Sequence, residues 1–294
     1  MGFAKRYILH VVCAGLFVAC LCIWSTVYAG SEQGKGKLVF AMLDIGQGDG
    51  LYIEGPTGIQ IMVDAGPNTG AVLQELPKVM PLGDRTLNAV IETHPDADHM
   101  GGFIDVLERY KVGAFISPGI VKHNTVTDAL DKEIAEQNIP TYVARRGMVL
   151  DLGGGAELDV LYPDQDVSDF GEKTNDGSIV ARLVYGQTSV MLTGDAPFAT
   201  EAHLIQISTS TDLLSDLLKV GHHGSKTSTS DAFIAAVHPS LALISVGANN
   251  TYGHPTQETL GRLQNAGVSV LRTDQKGAVV CVSDGAAFNC KSEK

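Results

Sequence analysis

His94, Asp96, Asp98 and His99 fall within six positions, in the run Thr93-His94-Pro95-Asp96-Ala97-Asp98-His99-Met100-Gly101-Gly102 that follows an apolar stretch at 88–92. Two imidazoles and two carboxylates at this density repel or compete for protons unless a cation organises them. A strand end followed by a tight turn aims alternate side chains at one point. Nitrogen and oxygen donors in this mixture suit zinc, manganese or iron, and ligands so spaced can serve two neighbouring ions.

Four more points carry residues of the same kinds. Asp64 closes Met62-Val63-Asp64, and Asp195 follows Leu192-Thr193-Gly194. Val220-Gly221-His222-His223-Gly224-Ser225-Lys226 and Tyr252-Gly253-His254-Pro255 supply the other histidines. Either histidine of the 222–223 pair has an alternative reading as a hydrogen-bonded packing residue. Lys226 reads equally as a point charge for a phosphate oxygen or as a solvated loop lysine. Gln47 and Asp49 lie in a glycine-rich loop at 46–50, a weak phosphate signal because no helix follows it, so the loop reads first as a turn.

The elements that must position these groups follow from the pattern of apolar runs. Strands are expected at 37–44, 51–54, 59–64, 88–93, 114–117, 140–144 and 157–162, with helices at 70–78, 102–109 and 127–137. A polar, acidic loop at 163–176 then separates a second set. Its strands fall at 178–185, 188–193, 217–220, 241–246 and 268–272, and its helices at 197–205, 230–237 and 256–266. Runs at 277–282 and 286–289 close the chain. Two similar halves of this kind predict two sheets packed face to face with helices outside.

Composition limits the functions available. With 294 residues, 44% apolar and 18% charged, the chain can bury a large core. Residues 1–29 read as a signal peptide or membrane anchor: Lys5 and Arg6 precede an apolar stretch ending in Val27-Tyr28-Ala29. The positive-inside rule then places the rest of the chain outside the cytoplasm, exported to a periplasmic, extracellular or outward-facing anchored position. Contact with the membrane is expected only through that segment left uncleaved. Without Lys5 and Arg6, 19 basic residues face 33 acidic ones, a net of −14. That balance argues against avid, non-specific binding of long nucleic acid, although bound cations invert the local field at a site. Of the five cysteines only Cys281 and Cys290 lie beyond the leader, where an exported chain would pair them.

Read in order, the 43–49 segment, HPDADHMGG, LTGDA, GHHGSKTSTS and residues 250–255 resemble the metallo-β-lactamase superfamily, and within it the hydrolase domain of the ComEC competence DNA-uptake proteins. The resemblance spans about 37–283 and implies an α+β fold, an αββα sandwich of two mixed β-sheets flanked by helices, as one hydrolase domain at 37–290. The membrane channel that accompanies this domain in ComEC has no counterpart in the sequence.

The resemblance implies His94, Asp96, Asp98 and His99 as metal ligands and Asp195 as the carboxylate that bridges two ions. Asp96 stands where the general pattern has a second histidine, and Asn175 where it has a third. The first ion site is therefore harder and weaker, favouring manganese or magnesium over zinc or staying partly empty. His254 is the expected final ligand, with His222 as the alternative. Asp64 would orient a ligand histidine from behind. His222 or His223 would protonate a leaving oxygen, helped by Lys226.

The expected protein is an exported hydrolase with one or two divalent metal ions (zinc or manganese, with magnesium admitted). Water activated by the cation would attack a phosphodiester substrate, DNA among the candidates, so the expected activity is that of a phosphodiesterase or nuclease. An aspartate rather than a cysteine at 195 fits the superfamily's phosphodiesterases. Two alternatives are a hydrolase of a small envelope ester, of phosphocholine type or a lactone, and a non-catalytic, metal-stabilised partner of a membrane complex.

Overall fold

The computed structural model describes residues 36–294. The expected leader at 1–29 lies outside the described residues; among those described, no helix is long and apolar enough to cross a membrane.

Strands β1 (Leu38–Met42), β2 (Gly50–Glu54) and β3 (Gln60–Ala65) form an antiparallel meander. Helix α1 (Ala71–Val79), the short β4 (Thr86–Leu87) and β5 (Ala89–Ile91) follow. Next come α2 (Ala97–Met100), α3 (Phe103–Arg109), β6 (Lys111–Val112), β7 (Phe115–Ser117), α4 (Thr125–Glu136) and β8 (Thr141–Val143). Strands β9 (Val149–Gly153), β10 (Ala156–Tyr162), β11 (Val180–Tyr185) and β12 (Thr188–Leu192) run antiparallel. Helix α5 (Phe198–Ile207), β13 (Leu217–Lys219), α6 (Asp231–Val237), β14 (Leu241–Ile244), α7 (Gln257–Asn265) and β15 (Ser269–Arg272) then alternate. The short α8 (Thr273–Lys276) leads to the hairpin of β16 (Val279–Ser283) and β17 (Phe288–Ser292).

These strands make two large mixed sheets. The first has eight strands in the order β17-β16-β1-β2-β3-β5-β7-β8, and the second has seven, β15-β14-β13-β12-β11-β10-β9. Facing side chains of the two, among them Phe40, Ile53, Ile61, Leu158, Leu183, Val190 and Leu243, form the central core. The outer face of the first sheet packs on Val72, Leu76, Phe103, Val106, Leu130 and Ile134 from α1, α3 and α4. Leu204, Phe233, Val237 and Leu263 from α5, α6 and α7 cover the second. Sheets buried on both faces explain why β1, β3 and β12 read as nearly continuous apolar runs instead of alternating. The fold is the expected αββα sandwich.

Two expectations about the halves are corrected. Strand β10 belongs to the second sheet, paired with β11 and with β9, a strand the sequence reading missed. The acidic loop at 163–176 is thus an internal connection of the second sheet and not a boundary. Strand β9 lies at the sheet edge with its residues largely half-buried or exposed, and its run Val149-Leu150-Asp151-Leu152 ahead of three glycines was an apolar signal that could have found it. The C-terminal hairpin, in turn, joins the first sheet: β16 pairs antiparallel with β1, with Cys281 opposite Phe40. Cys281 and Cys290 face each other across the hairpin and form a disulfide.

Candidate metal centre

Strands β3, β5, β7 and β8 are parallel to one another, as are β12 to β15. Every candidate ligand follows the carboxyl end of one of these strands or of β1, and open sheets place their ligands at such strand ends. Asp64 ends β3; Thr93 to His99 follow β5; Asp195 follows β12; His222 and His223 follow β13; residues 247–254 follow β14.

The loop after β1 closes under the His94–His99 turn. The N–H of Asp49 donates to the carbonyl of Asp98 (3.2 Å). Gly48, at φ 128°, lies so close that a Cβ there would stand 2.0 Å from the Asp98 carbonyl oxygen, which is why a glycine is required. Gly102 likewise admits no side chain, since its Cβ would meet the Ala65 carbonyl at 2.0 Å. The loop that read as a plain turn is therefore the floor of the site.

Asp64 has a left-handed backbone (φ 54°) and is fully buried. Its carboxylate accepts from the N–H of Thr93 (2.8 Å), the hydroxyl of Thr93 (2.7 Å) and Nδ1 of His99 (2.7 Å). Three such bonds over-determine the strained backbone. They also fix the proton of His99 on Nδ1 and turn Nε2 into the cavity, the usual arrangement behind a ligand histidine.

His222 and His223 both lie in the left-handed region, at φ 51° and 53°. The His222 N–H donates to Asp195 Oδ1 (3.1 Å), and His223 Nδ1 donates to the carbonyl of Ser245 (3.0 Å). The Ser245 hydroxyl donates in turn to the carbonyl of Gly48 (2.6 Å). A chain of hydrogen bonds thus orients His223 with its Nε2 inward.

Four groups converge there. His99 Nε2 lies 3.3 Å from His223 Nε2 and 3.4 Å from Asp195 Oδ1. His223 Nε2 lies 3.5 Å from Asp98 Oδ2 and 3.6 Å from Asp195 Oδ2. Ligand atoms bound at about 2.0–2.2 Å in a tetrahedron sit about 3.3–3.6 Å from one another, so the spacing matches that of a held cation. Asp49 also comes within 4.8 Å of His99, Asp195 and His223. It approaches the Nδ1 side of both rings, at 3.8 Å and 3.5 Å, whereas Asp98 approaches the Nε2 side of His223.

A second, less complete set adjoins the first. The rings of His94 and His99 are 4.1 Å apart. His94 Nε2 is buried without a hydrogen-bond partner and lies 3.6 Å from Asp96 Oδ2. The other oxygen of Asp96 accepts from Lys122 Nζ (2.8 Å) and the Thr174 hydroxyl (2.8 Å). Next to Thr174, Asn175 Oδ1 is also buried and unpartnered, as is Nδ1 of His254. Buried polar atoms without partners are costly, and the orphaned His94 Nε2 beside Asp96 fits a residue that holds a cation.

The electrostatics agree. Burial and the charge of His99 push the His94 ring down to about 4, so it is neutral and its lone pair is free. Burial pushes the Asp195 carboxyl up, but His99, His223 and Lys219 outweigh it and hold it ionised well below the usual range. Burial opposes charge on His223, yet Asp195 and Asp49 raise it to about 9. His99 is likewise driven well above the usual range by Asp195 and Asp64 against its burial. Without a cation, protons on these two rings balance the carboxylates.

His222, His254 and Lys226 stand further out. His222 Nε2 lies 3.7 Å from Asp195 Oδ2, and its ring stands 5.6 Å from that of His254. Burial lowers both rings below the usual histidine range. Lys226 is exposed on the loop that carries the two histidines. His223 thus enters the inner cluster, while His254, the residue expected as final ligand, stands one ring beyond it.

Lys219 was missed by sequence reading. It is fully buried, its ammonium forms an ion pair with Asp49, and it donates to the carbonyl of Gly194 (3.0 Å). The available signal was a charge inside the apolar run Leu217-Leu218-Lys219-Val220, just before the histidine loop. Lys122 and Thr174 carried no signal of their own.

The profile of the metallo-beta-lactamase superfamily matches residues 43–247. ComE operon protein 3 of Bacillus subtilis (strain 168) is 32% identical over 254 residues, which cover 81% of this chain and 32% of that protein. Competence protein ComA of Neisseria gonorrhoeae is 30% identical over 254 residues, 86% of this chain and 33% of the relative. Recombination protein 2 of Haemophilus influenzae is 32% identical over 280 residues, 94% of this chain and 32% of the relative. The chain therefore spans about a third of the length of these relatives. Among solved structures, Igni18, a metallo hydrolase from the archaeon Ignicoccus hospitalis, superposes with a TM-score of 0.52 at 14% identity, covering 82% of this chain and 98% of that one. CmlA, a diiron β-hydroxylase from Streptomyces venezuelae, gives 0.50 at 12% identity, covering 80% and 52%. At these identities the two likenesses concern the fold.

Proposed function

Because the chain belongs to the metallo-beta-lactamase superfamily, we propose that it is an exported, metal-dependent hydrolase of phosphodiester bonds, acting on a nucleic-acid strand. The observation that carries the metal-dependent part is the convergence of His99 Nε2, His223 Nε2 and the Asp195 carboxylate at 3.3–3.6 Å, with Asp98 Oδ2 3.5 Å from His223 Nε2. The nucleic-acid part is supported by the relatives, named for competence and recombination.

Asp98, His99, Asp195 and His223 would hold one divalent ion, and His94 and Asp96, with Asn175 adjacent, a second and weaker one. An ion there supplies Lewis acidity, lowering the pKa of a water nucleophile and drawing charge from phosphoryl oxygens. Six ligands at the magnesium distance of about 2.0–2.1 Å would stand only about 2.9 Å apart, closer than these donors do, so the set fits zinc better than magnesium. Asp64, through Thr93 and His99, keeps the turn in register. His222 faces outward, with burial lowering it below the usual histidine range, and would hand the departing alkoxide a proton that it takes up from solvent. That role, expected of either histidine of the pair, falls to His222 because both ring nitrogens of His223 already have partners. Lys226 would meet a phosphate oxygen as a point charge.

The test is hydrolysis of bis(p-nitrophenyl) phosphate and of single-stranded DNA by the zinc- or manganese-loaded chain. Turnover that disappears in His99→Ala supports the reading. No cleavage of either substrate, together with stoichiometric metal uptake, would leave the small-ester hydrolase as the better account.

A further inference from the structure

Residues 247–256, which follow β14, are tied down unusually well for a surface loop. The Asn250 side chain spans it, donating from Nδ2 to the carbonyls of Gly247 (2.9 Å) and His254 (2.8 Å) while Oδ1 accepts from the His254 N–H (3.0 Å). The Gly247 N–H donates to Gln47 Oε1 (3.3 Å), and the Thr256 N–H to the carbonyl of Gly224 (2.9 Å). At the apex of this clamp Tyr252 is 69% exposed.

A lone exposed tyrosine is ordinary on a protein surface. This one stands on a loop pinned on both sides of it. Its ring is stacked on that of His254, 5.9 Å between centroids at 25°. His254 meets His222 edge-on at 5.6 Å and 77°, and His222 reaches Asp195 at 3.7 Å. Three rings therefore lead from the metal cluster to a flat, held, solvent-facing aromatic surface.

We propose that Tyr252 is a stacking platform for an unpaired nucleobase next to the scissile phosphodiester, so that the site selects single strands. The inference rests on the phosphodiesterase reading and narrows its substrate. It also suits a chain whose net charge is −12, which offers little non-specific phosphate neutralisation away from the site. Stacking is indifferent to charge and to base identity, and it needs a face that a duplex keeps covered.

The experiment titrates the full chain, zinc-loaded and metal-free, into a single-stranded oligonucleotide carrying 2-aminopurine, whose fluorescence is quenched on stacking. Wild type quenches it; Tyr252→Ala weakens binding about 5- to 100-fold, to a similar factor at low and high salt. Tyr252→Phe and Tyr252→Trp restore binding, deoxyribo- and ribo-strands respond alike, and a duplex of the same sequence shows no dependence on residue 252. Binding by Tyr252→Ala within about twofold of wild type would overturn the proposal, as would a loss that Tyr252→Phe does not restore. Turnover without any dependence on Tyr252 removes the platform and keeps the hydrolase. Quenching that depends on Tyr252 without turnover removes the hydrolase and keeps a strand-binding site.

Discussion

The ammonium of Lys219 and the carboxylate of Asp49 form an ion pair with neither side chain more than 1% exposed, directly behind the rings of His99 and His223. Burial pushes the Lys219 pKa down, but Asp49 and Asp195 overcome it and hold the lysine charged. The same ammonium lies 3.7 Å from Asp195 Oδ1, so it offsets charge on the carboxylate of the inner cluster.

Removing one partner leaves a buried charge uncompensated. Lys219→Met is expected to cost about 3–5 kcal/mol in denaturant unfolding, and Lys219→Met combined with Asp49→Asn to recover much of it. Additive losses in the two single variants would show that the pair is not coupled.

Ligand assignment is read from metal uptake by calorimetry. His99→Ala, His223→Ala and Asp195→Asn should each abolish stoichiometric zinc binding at the inner cluster. Asp64→Asn, which disturbs the support behind His99 and Thr93, should weaken it by about 10- to 100-fold. Should His254→Ala remove the ion while His223→Ala does not, the roles of those two histidines are reversed.

Uptake must displace protons. The His223 ring titrates at about 9 and His99 well above the usual range, so in the cation-free protein both are protonated at neutral pH. Apparent affinity should rise with pH until about 9, with roughly one proton released per ring, measured as heats in buffers of different ionisation enthalpy. Binding that does not change between about pH 6 and 9 would contradict this.

Glu92 supplies a separate pH effect. Burial, then the charges of Asp64, Asp131 and Asp96, raise its pKa to about 8. The native state keeps a proton there that the unfolded chain releases near the ordinary glutamate value, so stability is full below about pH 4.5 and falls as pH climbs through about 8. Glu92→Gln should therefore raise the melting temperature by about 10 °C near pH 9, a gain of the order of 5 kcal/mol, and change little at about pH 4. Equal effects at both pH values would rule the titration out.

Much of the centre was legible because its residues are local. His94 to His99 announce themselves in six positions, and Asp195 and His222–His223 each follow an apolar strand. What could not be read depends on contacts between distant segments. Lys219 looks like a strand residue until Asp49 is brought against it by the packing of one sheet on the other. His223 and His254 offer the same chemistry in sequence; only the bond from His223 to Ser245 and the ring of His222 in between tell them apart. The sheet membership of β10 and β16 was illegible for a related reason: an apolar alternation specifies a strand but not its neighbour.

The pairing of β16 with β1 has a consequence for biogenesis. The strand that leads into the floor under Asp98 finds its outer neighbour only when residues 279–283 are available. A polypeptide still being synthesised, or clipped by a protease ahead of Val279, would present β1 as an open edge, ready to recruit foreign strands.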